Sequence, residues 1–350
     1  MNSPFPDFYG NSTVAHTLAQ MVGAERIPQT ILLSGPEGVG KATLARRFAA
    51  ALLGDAAKIE QDDLSRPENL ETIEQREKWL AEKRNDDPLF FSSHPDFVTF
   101  APEGPLRQIT IQQMRLLRER AQLKPLRGNW RVFLIDRLDR ANEQAANSLL
   151  KVLEEPPTHL VILATTENLY DVLPTIRSRS IVLQLGRLSD GELMSFAGAR
   201  KLADAEARIA LAEGCPGIAA SLDLDLFRER RKLLLAAFEC AAGLAPFSDW
   251  IQQSESFNSR KSEKLDLYLK LAYGILEDVL STSCGCAPVR NRDIRDRLER
   301  LAARVNFRWI EQAVRSVDEL VLMVRRNIQK TAALDAMIIN LRNRPGMAST

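Results

Sequence analysis

The amino-acid sequence predicts an α/β domain built on a parallel sheet, followed by a region made of helices alone. In the first half of the 350-residue chain, short apolar runs alternate with segments of helical periodicity. A glycine-rich loop at residues 35–43 joins the first of these apolar runs to a helix. After about Gly186 the strand signal ends, and a helical pattern continues almost to the end of the chain.

The composition is that of an ordinary soluble globular protein, with 45% hydrophobic residues, 27% charged residues and a net charge of +1. A net charge this small gives no general argument for attraction to nucleic acid or membranes. No apolar run approaches the length of a membrane span, and the first residues lack an export signal. The four cysteines have no zinc-site spacing, so we expect free thiols in a cytoplasmic protein; they are Cys215, Cys240, Cys284 and Cys286.

Local signals place each element of the first half. Apolar runs predict strands at 31–34, 97–100, 132–135, 160–165 and 181–185. Periodicity predicts helices at 41–53, from 110 to about 123, and at 143–154. Thr110 and Gln113 have the spacing of a capping box, Asn142 can cap the third helix, and Pro156 ends it. Strands separated by helices predict a parallel sheet with helices on both faces.

Two regions depart from this alternation. Residues 55–93 are polar and charged, and we expect an insertion with a solvated surface helix near 71–83. Past Gly186 we expect short helices at 189–202 and 203–213, a break at 214–217, and a helical bundle from 225 to 344. Residues 290–344 carry 13 basic and 7 acidic side chains. This surplus fits a solvated helix face, or a surface that contacts nucleic acid or a partner.

The loop carries the most specific chemical signal. Gly35, Gly40 and Lys41 fit the pattern Gly-x-x-x-x-Gly-Lys-[Ser/Thr], in which backbone N–H groups cradle phosphates, and Gly38 lies between them. We expect Lys41 to reach the β- and γ-phosphates of a nucleotide. The last position of the pattern supplies a hydroxyl to Mg²⁺, and here that position is Ala42.

Three further residues, Thr43, Asp136 and Arg137, bear on nucleotide hydrolysis. Thr43 carries a hydroxyl one position late, and a helix turns it by about 100° from the required direction. Asp136 ends the strand at 132–135, where an acidic residue holds Mg²⁺ directly or through water. Hydrolysing proteins of this class place a glutamate next, to polarise the attacking water, and this chain has Arg137. A guanidinium cannot act as a base at neutral pH, so the sequence predicts a nucleotide site that does not hydrolyse.

A third group follows the strand at 160–165. That strand brings Thr165 and Thr166 to the phosphate side of the sheet, where one of them could sense a γ-phosphate. Arg179 lies in Ser178-Arg179-Ser180, on the loop before the last strand. It could pair with a local carboxylate. Alternatively, it could act as an arginine finger on a neighbouring subunit, an interaction that raises hydrolysis by about 10³–10⁵-fold.

Four segments together resemble the clamp-loader ATPases of the AAA+ superfamily. They are residues 32–41, His94-Pro95-Asp96, residues 145–157 and residues 173–180. The segment from Asn147 to Pro157 is the most specific, because it is typical of clamp-loader subunits rather than of P-loop proteins in general. Within that family, the pattern is most similar to the delta-prime subunits of bacterial DNA polymerase III. The resemblance is strong over roughly residues 10–186 and weaker beyond them.

The resemblance implies an AAA+ nucleotide-fold domain at 1–186, a small helical lid at 187–225, and a helical collar at 226–350 that joins a five-subunit ring. It implies motor subunits of the gamma/tau type and a delta subunit as partners, with the sliding clamp and primer-template DNA contacted through the complex and no membrane contact. Arg179 matches the arginine that enters the ATP site of the adjacent loader subunit. Delta-prime subunits commonly have degenerate ATP sites, so ATP or ADP bound without hydrolysis is compatible with the family and no cofactor is required.

Two positions depart from the family pattern. Related subunits often hold zinc through four cysteines between the two nucleotide motifs, and residues 54–96 contain none, so we expect neither zinc nor another metal site. Motor subunits carry a sensor arginine on the lid, near the position of Gly217, and this chain has no arginine at residues 214–219.

Two alternative functions compete with a non-hydrolysing clamp-loader subunit. One is an active AAA+ ATPase, either a motor-type loader subunit or a stand-alone remodeller; Ala42 and Arg137 argue against it. The other is a P-loop kinase, which lacks an acceptor-binding motif here and leaves the long helical half unexplained.

Overall fold

The computed structural model describes residues 4–258, 265–285, 290–324 and 330–342. The chain divides into two compact units, Met1–Ser221 and Leu222–Thr350. The further division of the first unit into a nucleotide fold and a lid stays a prediction. Cys286 and three of the basic residues counted above, Arg325, Arg326 and Arg344, lie outside the described residues.

The first unit alternates strands and helices up to its last strand and is helical after it. Its strands are β1 (Thr30–Ser34), β2 (Phe97–Phe100), β3 (Arg131–Ile135), β4 (Leu160–Thr166) and β5 (Ile181–Gln184). Its helices are α1 (Ser12–Gly23), α2 (Lys41–Leu53), α3 (Ala56–Ile59), α4 (Pro67–Glu77), α5 (Ala81–Asp86), α6 (Ile111–Ala121), α7 (Glu143–Glu154), α8 (Pro174–Arg177), α9 (Asp190–Ala199), α10 (Ala205–Ala212) and α11 (Pro216–Ser221).

All five strands form one parallel sheet in the order β2-β3-β4-β1-β5. Successive residues of a strand point to opposite faces, so the central strands feed two separate apolar cores. Helices α1 and α2 cover one face together with Ile31, Leu33, Val132, Leu134, Val161 and Leu163. Helices α6 and α7 cover the other with Leu32, Val98, Phe100, Phe133, Ile135 and Ile162. The predicted layers, with helices on both faces of a parallel sheet, are confirmed.

The predicted caps of α6 and α7 are confirmed. The Thr110 side chain accepts a hydrogen bond from the Gln113 N–H, and the Gln113 side chain accepts one from the Thr110 N–H at 2.8 Å. The Asn142 carboxamide accepts from the Ala145 N–H at 2.8 Å. Each cap satisfies backbone N–H groups that a helix leaves unpaired in its first turn.

The predicted helix at 71–83 is wrong, because α4 ends at Glu77 and α5 begins only at Ala81. Trp79 lies between the two helices. The centre of its ring is 4.5 Å from the Arg76 guanidinium carbon and 3.7 Å from the Lys83 ammonium nitrogen. Arg76 is itself turned inward, 3.2 Å from Glu103 and 2.7 Å from Asp87. The insertion is therefore anchored by the buried Arg76–Glu103 pair. Most other side chains at 71–83 are exposed, as the composition suggested, but they belong to two short helices and not to one.

The second unit consists of helices in the residues that the structure describes. They are α12 (Leu224–Ala241), α13 (Phe247–Asn258), α14 (Leu265–Ser283), α15 (Arg295–Arg304), α16 (Phe307–Val324) and α17 (Lys330–Arg342). Helix α12 packs on α13, α14 and α17, and α14 packs on α15 and α16. Fully buried aromatic side chains fill the centre, among them Phe238, Trp250, Tyr268 and Trp309. Across the described parts of both units, we find no helix with the length and apolar character that crossing a membrane requires.

Candidate functional site

The glycine-rich loop connects the end of β1 to the start of α2, so its backbone lies at the carboxyl edge of the sheet. Gly38 has φ +75°, in the left-handed region that side chains disfavour. A Cβ at Gly38 would also meet Ile218 Cγ1 at 2.8 Å. The predicted loop and the strand and helix that flank it are therefore present, with glycine required at its centre.

Lys41 is the first residue of α2 and is only 8% exposed. Its Nζ donates hydrogen bonds to the carbonyl oxygens of Gly35 at 2.7 Å and Pro36 at 2.8 Å. Burial lowers the pKa of this ammonium, while the charges of Glu167 and Asp136 act in the opposite direction. The lysine thus lies within its own loop, at the position from which it could contact a phosphate.

Ala42 and Thr43 follow Lys41 in the first turn of α2, both half-buried. No hydroxyl stands at the position that would bind Mg²⁺, as the sequence indicated.

Asp136 follows β3, and its Oδ1 accepts a hydrogen bond from the Thr165 hydroxyl at 2.6 Å. The same hydroxyl accepts the backbone N–H of Arg137 at 2.8 Å. Burial raises the pKa of the Asp136 carboxyl, against the opposing effects of the Thr165 hydrogen bond and the charges of Arg46 and Lys41. The structure therefore brings Asp136 and Thr165 together, but as partners of one another.

Arg137 forms an ion pair with Glu167, with 2.5 Å between Nη2 and Oε1. About a third or less of each side chain is exposed, at 29% and 32%. Glu167 directly follows β4 and was not singled out in the sequence. A carboxylate next to the two candidate threonines was the available signal, but nothing local linked it to Arg137, 30 positions earlier. The position directly after Asp136 therefore carries a guanidinium that is paired with a carboxylate.

Thr166 is fully buried at the end of β4, and its hydroxyl donates to the carbonyl oxygen of Asn168 at 2.8 Å. Its predicted sensing of a γ-phosphate stays a prediction.

Helix α11 contacts the glycine-rich loop at Gly38. The Gly217 N–H donates to the Gly38 carbonyl oxygen at 2.7 Å. A Cβ at Gly217 would meet that oxygen at 2.9 Å and the Gly38 Cα at 3.0 Å. The lid position expected for a sensor arginine is therefore in backbone contact with the loop, and an added side chain would push the two backbones apart.

Arg179 lies just beyond α8, 39% exposed in its side chain. Its Nη1 donates to the Thr175 carbonyl oxygen at 3.1 Å, and its Nη2 lies 3.4 Å from Glu154 Oε1. Glu154 is thus the local carboxylate with which the sequence suggested that Arg179 could pair. The long, exposed contact is of a kind worth little energy, and it leaves the guanidinium accessible.

A Mg²⁺-bound nucleotide would need phosphate donors and metal ligands. The loop amides and Lys41 fit the phosphates. The metal ligands fit only in part, because Ala42 has no oxygen, whereas Asp136 accepts the Thr165 hydrogen bond through Oδ1 alone.

A parallel sheet whose first strand runs through a glycine-rich loop into a helix, with an acidic residue after a neighbouring strand, defines a P-loop nucleotide-fold protein. A family model described as "DNA polymerase III, delta subunit" matches residues 10–189. The chain belongs to that family, and the predicted fold, a parallel α/β P-loop domain followed by helices, is confirmed.

Individual relatives agree with this assignment. The delta' subunit of DNA polymerase III from Pseudomonas aeruginosa is 31% identical over 167 residues, covering 47% of this chain and 44% of that protein. The tau/gamma subunit from Haemophilus influenzae is 27% identical over 189 residues. The match covers 54% of this chain but only 25% of that relative. A gamma subunit-related protein of Thermotoga maritima shares the fold, with a TM-score of 0.52, 15% identity, and coverage of 93% and 99% of the two chains.

Proposed function

We propose that this chain is a non-hydrolysing subunit of a DNA polymerase III clamp loader. It helps to load the sliding clamp onto primed DNA, and it supplies Arg179 to the nucleotide site of a neighbouring ATPase subunit. The Arg137–Glu167 ion pair carries the proposal, because it stands where hydrolysis needs a free carboxylate base.

The missing hydroxyl at Ala42 also supports the absence of hydrolysis. Lys41, Asp136 and Thr166 each have partners within the chain. With no hydroxyl at Ala42, a nucleotide in this site would lack the metal ligand that positions its γ-phosphate. ATP or ADP could therefore bind through phosphates and remain intact.

Arg179 is the group that could act outside its own subunit. Its guanidinium is accessible, its only described carboxylate contact is long, and the chain's own site has no reaction for it to assist. The partners that we propose are motor subunits of the gamma/tau type and a delta subunit in a five-subunit ring. Through that ring the chain acts on the clamp and on primer-template DNA, in the cytoplasm, as a component of the polymerase holoenzyme.

Reconstitution of the loader with purified subunits tests this function. Arg179→Ala should abolish the share of the ATPase activity that comes from the neighbouring site, since an arginine finger contributes about 10³–10⁵-fold at the site that it completes. Lys41→Ala should leave the activity nearly unchanged. Arg177→Ala is the matched control, because this neighbouring arginine lies over the Tyr170 ring, 5.6 Å from its centre. Normal ATPase activity in an assembled loader that contains Arg179→Ala would contradict the proposal.

An active AAA+ ATPase is the second candidate, favoured by the retained loop lysine and by Asp136 after β3. It requires Mg²⁺-dependent ATP hydrolysis by the purified chain alone. A turnover that Lys41→Ala abolishes would establish it and displace the first candidate.

A further inference from the structure

An open cleft of about 320 Å³ lies at the start of α15 in the second unit. Four arginines and two aspartates line it, and a single isoleucine is its only apolar side chain. The lining residues are Arg292, Asp293, Ile294, Arg295, Asp296, Arg297 and Arg300. Four of the 13 basic residues noted at 290–344 therefore lie here, together with two of the 7 acidic ones, and the proposed function makes no use of them.

Three of the lining charges already have partners. Arg295 lies 2.8 Å from Glu299, Arg297 lies 2.6 Å from Glu239, and the Asp293 carboxylate is paired with Arg231. The side chains of Arg292 and Arg300 have no hydrogen bond or ion pair with any residue that the structure describes. Both are exposed. The cleft thus presents two uncommitted guanidinium groups.

The turn that carries Arg292 is held rigidly. The buried Asp278 carboxylate on α14 accepts the backbone N–H groups of Arg290 and Asn291, each at 3.0 Å. Asn291 in turn accepts from the buried Arg231 at 2.8 Å. A guanidinium presented from a fixed turn loses less conformational entropy on binding than one on a mobile segment.

We propose that this cleft binds the phosphodiester backbone of nucleic acid. A guanidinium matches the geometry of a phosphate with two parallel N–H groups. The cleft offers no aromatic or aliphatic pocket, and protein interfaces generally rely on such anchors. Its chemistry therefore suits a regularly charged polymer better than an acidic protein. The role extends beyond the proposed function, because neither Arg179 nor ATP hydrolysis depends on it.

Fluorescence anisotropy of the full chain with a labelled 20-nucleotide oligothymidine, at several salt concentrations, tests the proposal. We expect measurable binding at low salt. Arg292→Ala/Arg300→Ala should weaken it and reduce the slope of log K against log salt by about 1.4, or about 0.7 per lost phosphate contact. With a 20-base-pair duplex, the same double variant should reduce the slope of log K against log salt by about 1.8, or about 0.9 per lost phosphate contact. These two arms distinguish single strands from duplexes as the source of the phosphates.

The control is Arg66→Ala/Arg315→Ala, which removes the same charge from two exposed arginines outside the lining of the cleft. It should leave the affinity within about twofold, since screened distant charges contribute little. Asp296→Asn should strengthen binding, because it removes the opposing charge from the cleft. The proposal would be overturned if the two double variants lost affinity equally, or if the chain did not bind the oligonucleotide at low salt. It would also be overturned if polyglutamate displaced the labelled oligonucleotide at a lower concentration of charge than unlabelled oligonucleotide does.

Discussion

The backbone N–H of Gly217 donates a 2.7 Å hydrogen bond to the carbonyl oxygen of Gly38, joining helix α11 to the glycine-rich loop. Neither backbone has room for a side chain at this point, since a Cβ on either glycine would lie within 3.0 Å of the other segment. The contact fixes the loop from outside, while Lys41 holds it from within through Gly35 and Pro36. Hydrogen bonds from Gly217 and from Lys41 therefore fix the conformation of the loop.

Gly217→Ala should destabilise the first unit by about 1–3 kcal/mol, because the added methyl group must displace the Gly38 backbone. Urea denaturation measures this change. Gly198→Ala, in α9, is the matched control: no neighbour lies within 4 Å of its added Cβ. That control should be neutral or should stabilise by up to about 1 kcal/mol, because alanine favours a helix. Equal effects of the two substitutions would rule out the close approach as the cause.

Asp96→Asn should cost about 2–3 kcal/mol of unfolding free energy. The fully buried carboxylate accepts the backbone N–H groups of Leu126 at 2.8 Å and Arg127 at 2.7 Å. An asparagine replaces one acceptor oxygen with a donor, which leaves a buried N–H unpaired. Thermal unfolding measures the loss. Asp86→Asn, at an exposed position, should shift the midpoint little, and a comparable shift there would contradict this explanation.

Asp136→Asn should flatten the pH dependence of stability. Burial raises the pKa of this carboxyl in the folded chain, so the folded state binds its proton more tightly than the unfolded state does. Its contribution is therefore favourable at low pH and is lost as pH rises through the folded pKa. Urea denaturation between pH 4 and 8 should show wild type losing stability relative to the variant as pH rises. The opposite trend would mean that Thr165 and the nearby cations outweigh burial.

Ala42→Thr with Arg137→Glu should restore dependence on Mg²⁺. The first change returns the metal-binding hydroxyl, and the second returns the carboxylate and removes the Arg137–Glu167 ion pair. We expect a fluorescent ATP analogue to bind the double variant at least about tenfold more tightly in Mg²⁺ than in EDTA, with no such difference for wild type. Either single variant serves as a control, and its affinity for the analogue should depend less on Mg²⁺ than that of the double variant. A wild-type chain that already requires Mg²⁺ would contradict the loss of metal ligands.

Much of the first unit could be predicted because its signals are local. The spacing of Thr110 and Gln113, the cap at Asn142, and the loop ending at Lys41 each involve residues a few positions apart. Such patterns fix secondary structure before any tertiary contact forms. The substitution at Ala42 could likewise be read without a structure.

The break between α4 and α5 could not be predicted in this way. Its helical periodicity continues past Glu77, but Arg76 turns inward to meet Glu103, 27 positions away. The partner of Arg137 was missed for the same reason, since Glu167 follows a different strand. Which residues so far apart in the chain will meet depends on how the strands and helices pack, and no local pattern specifies it.

The sequence by itself determined the parallel α/β fold, the glycine-rich loop that ends at Lys41, and the absence of a hydroxyl at Ala42. The tertiary structure decided what those residues contact: Arg137 is paired with Glu167, Asp136 with Thr165, and Gly38 with Gly217. The physical reason is that strand order and helix packing bring together residues up to about 180 positions apart, and no local pattern encodes which of them will meet.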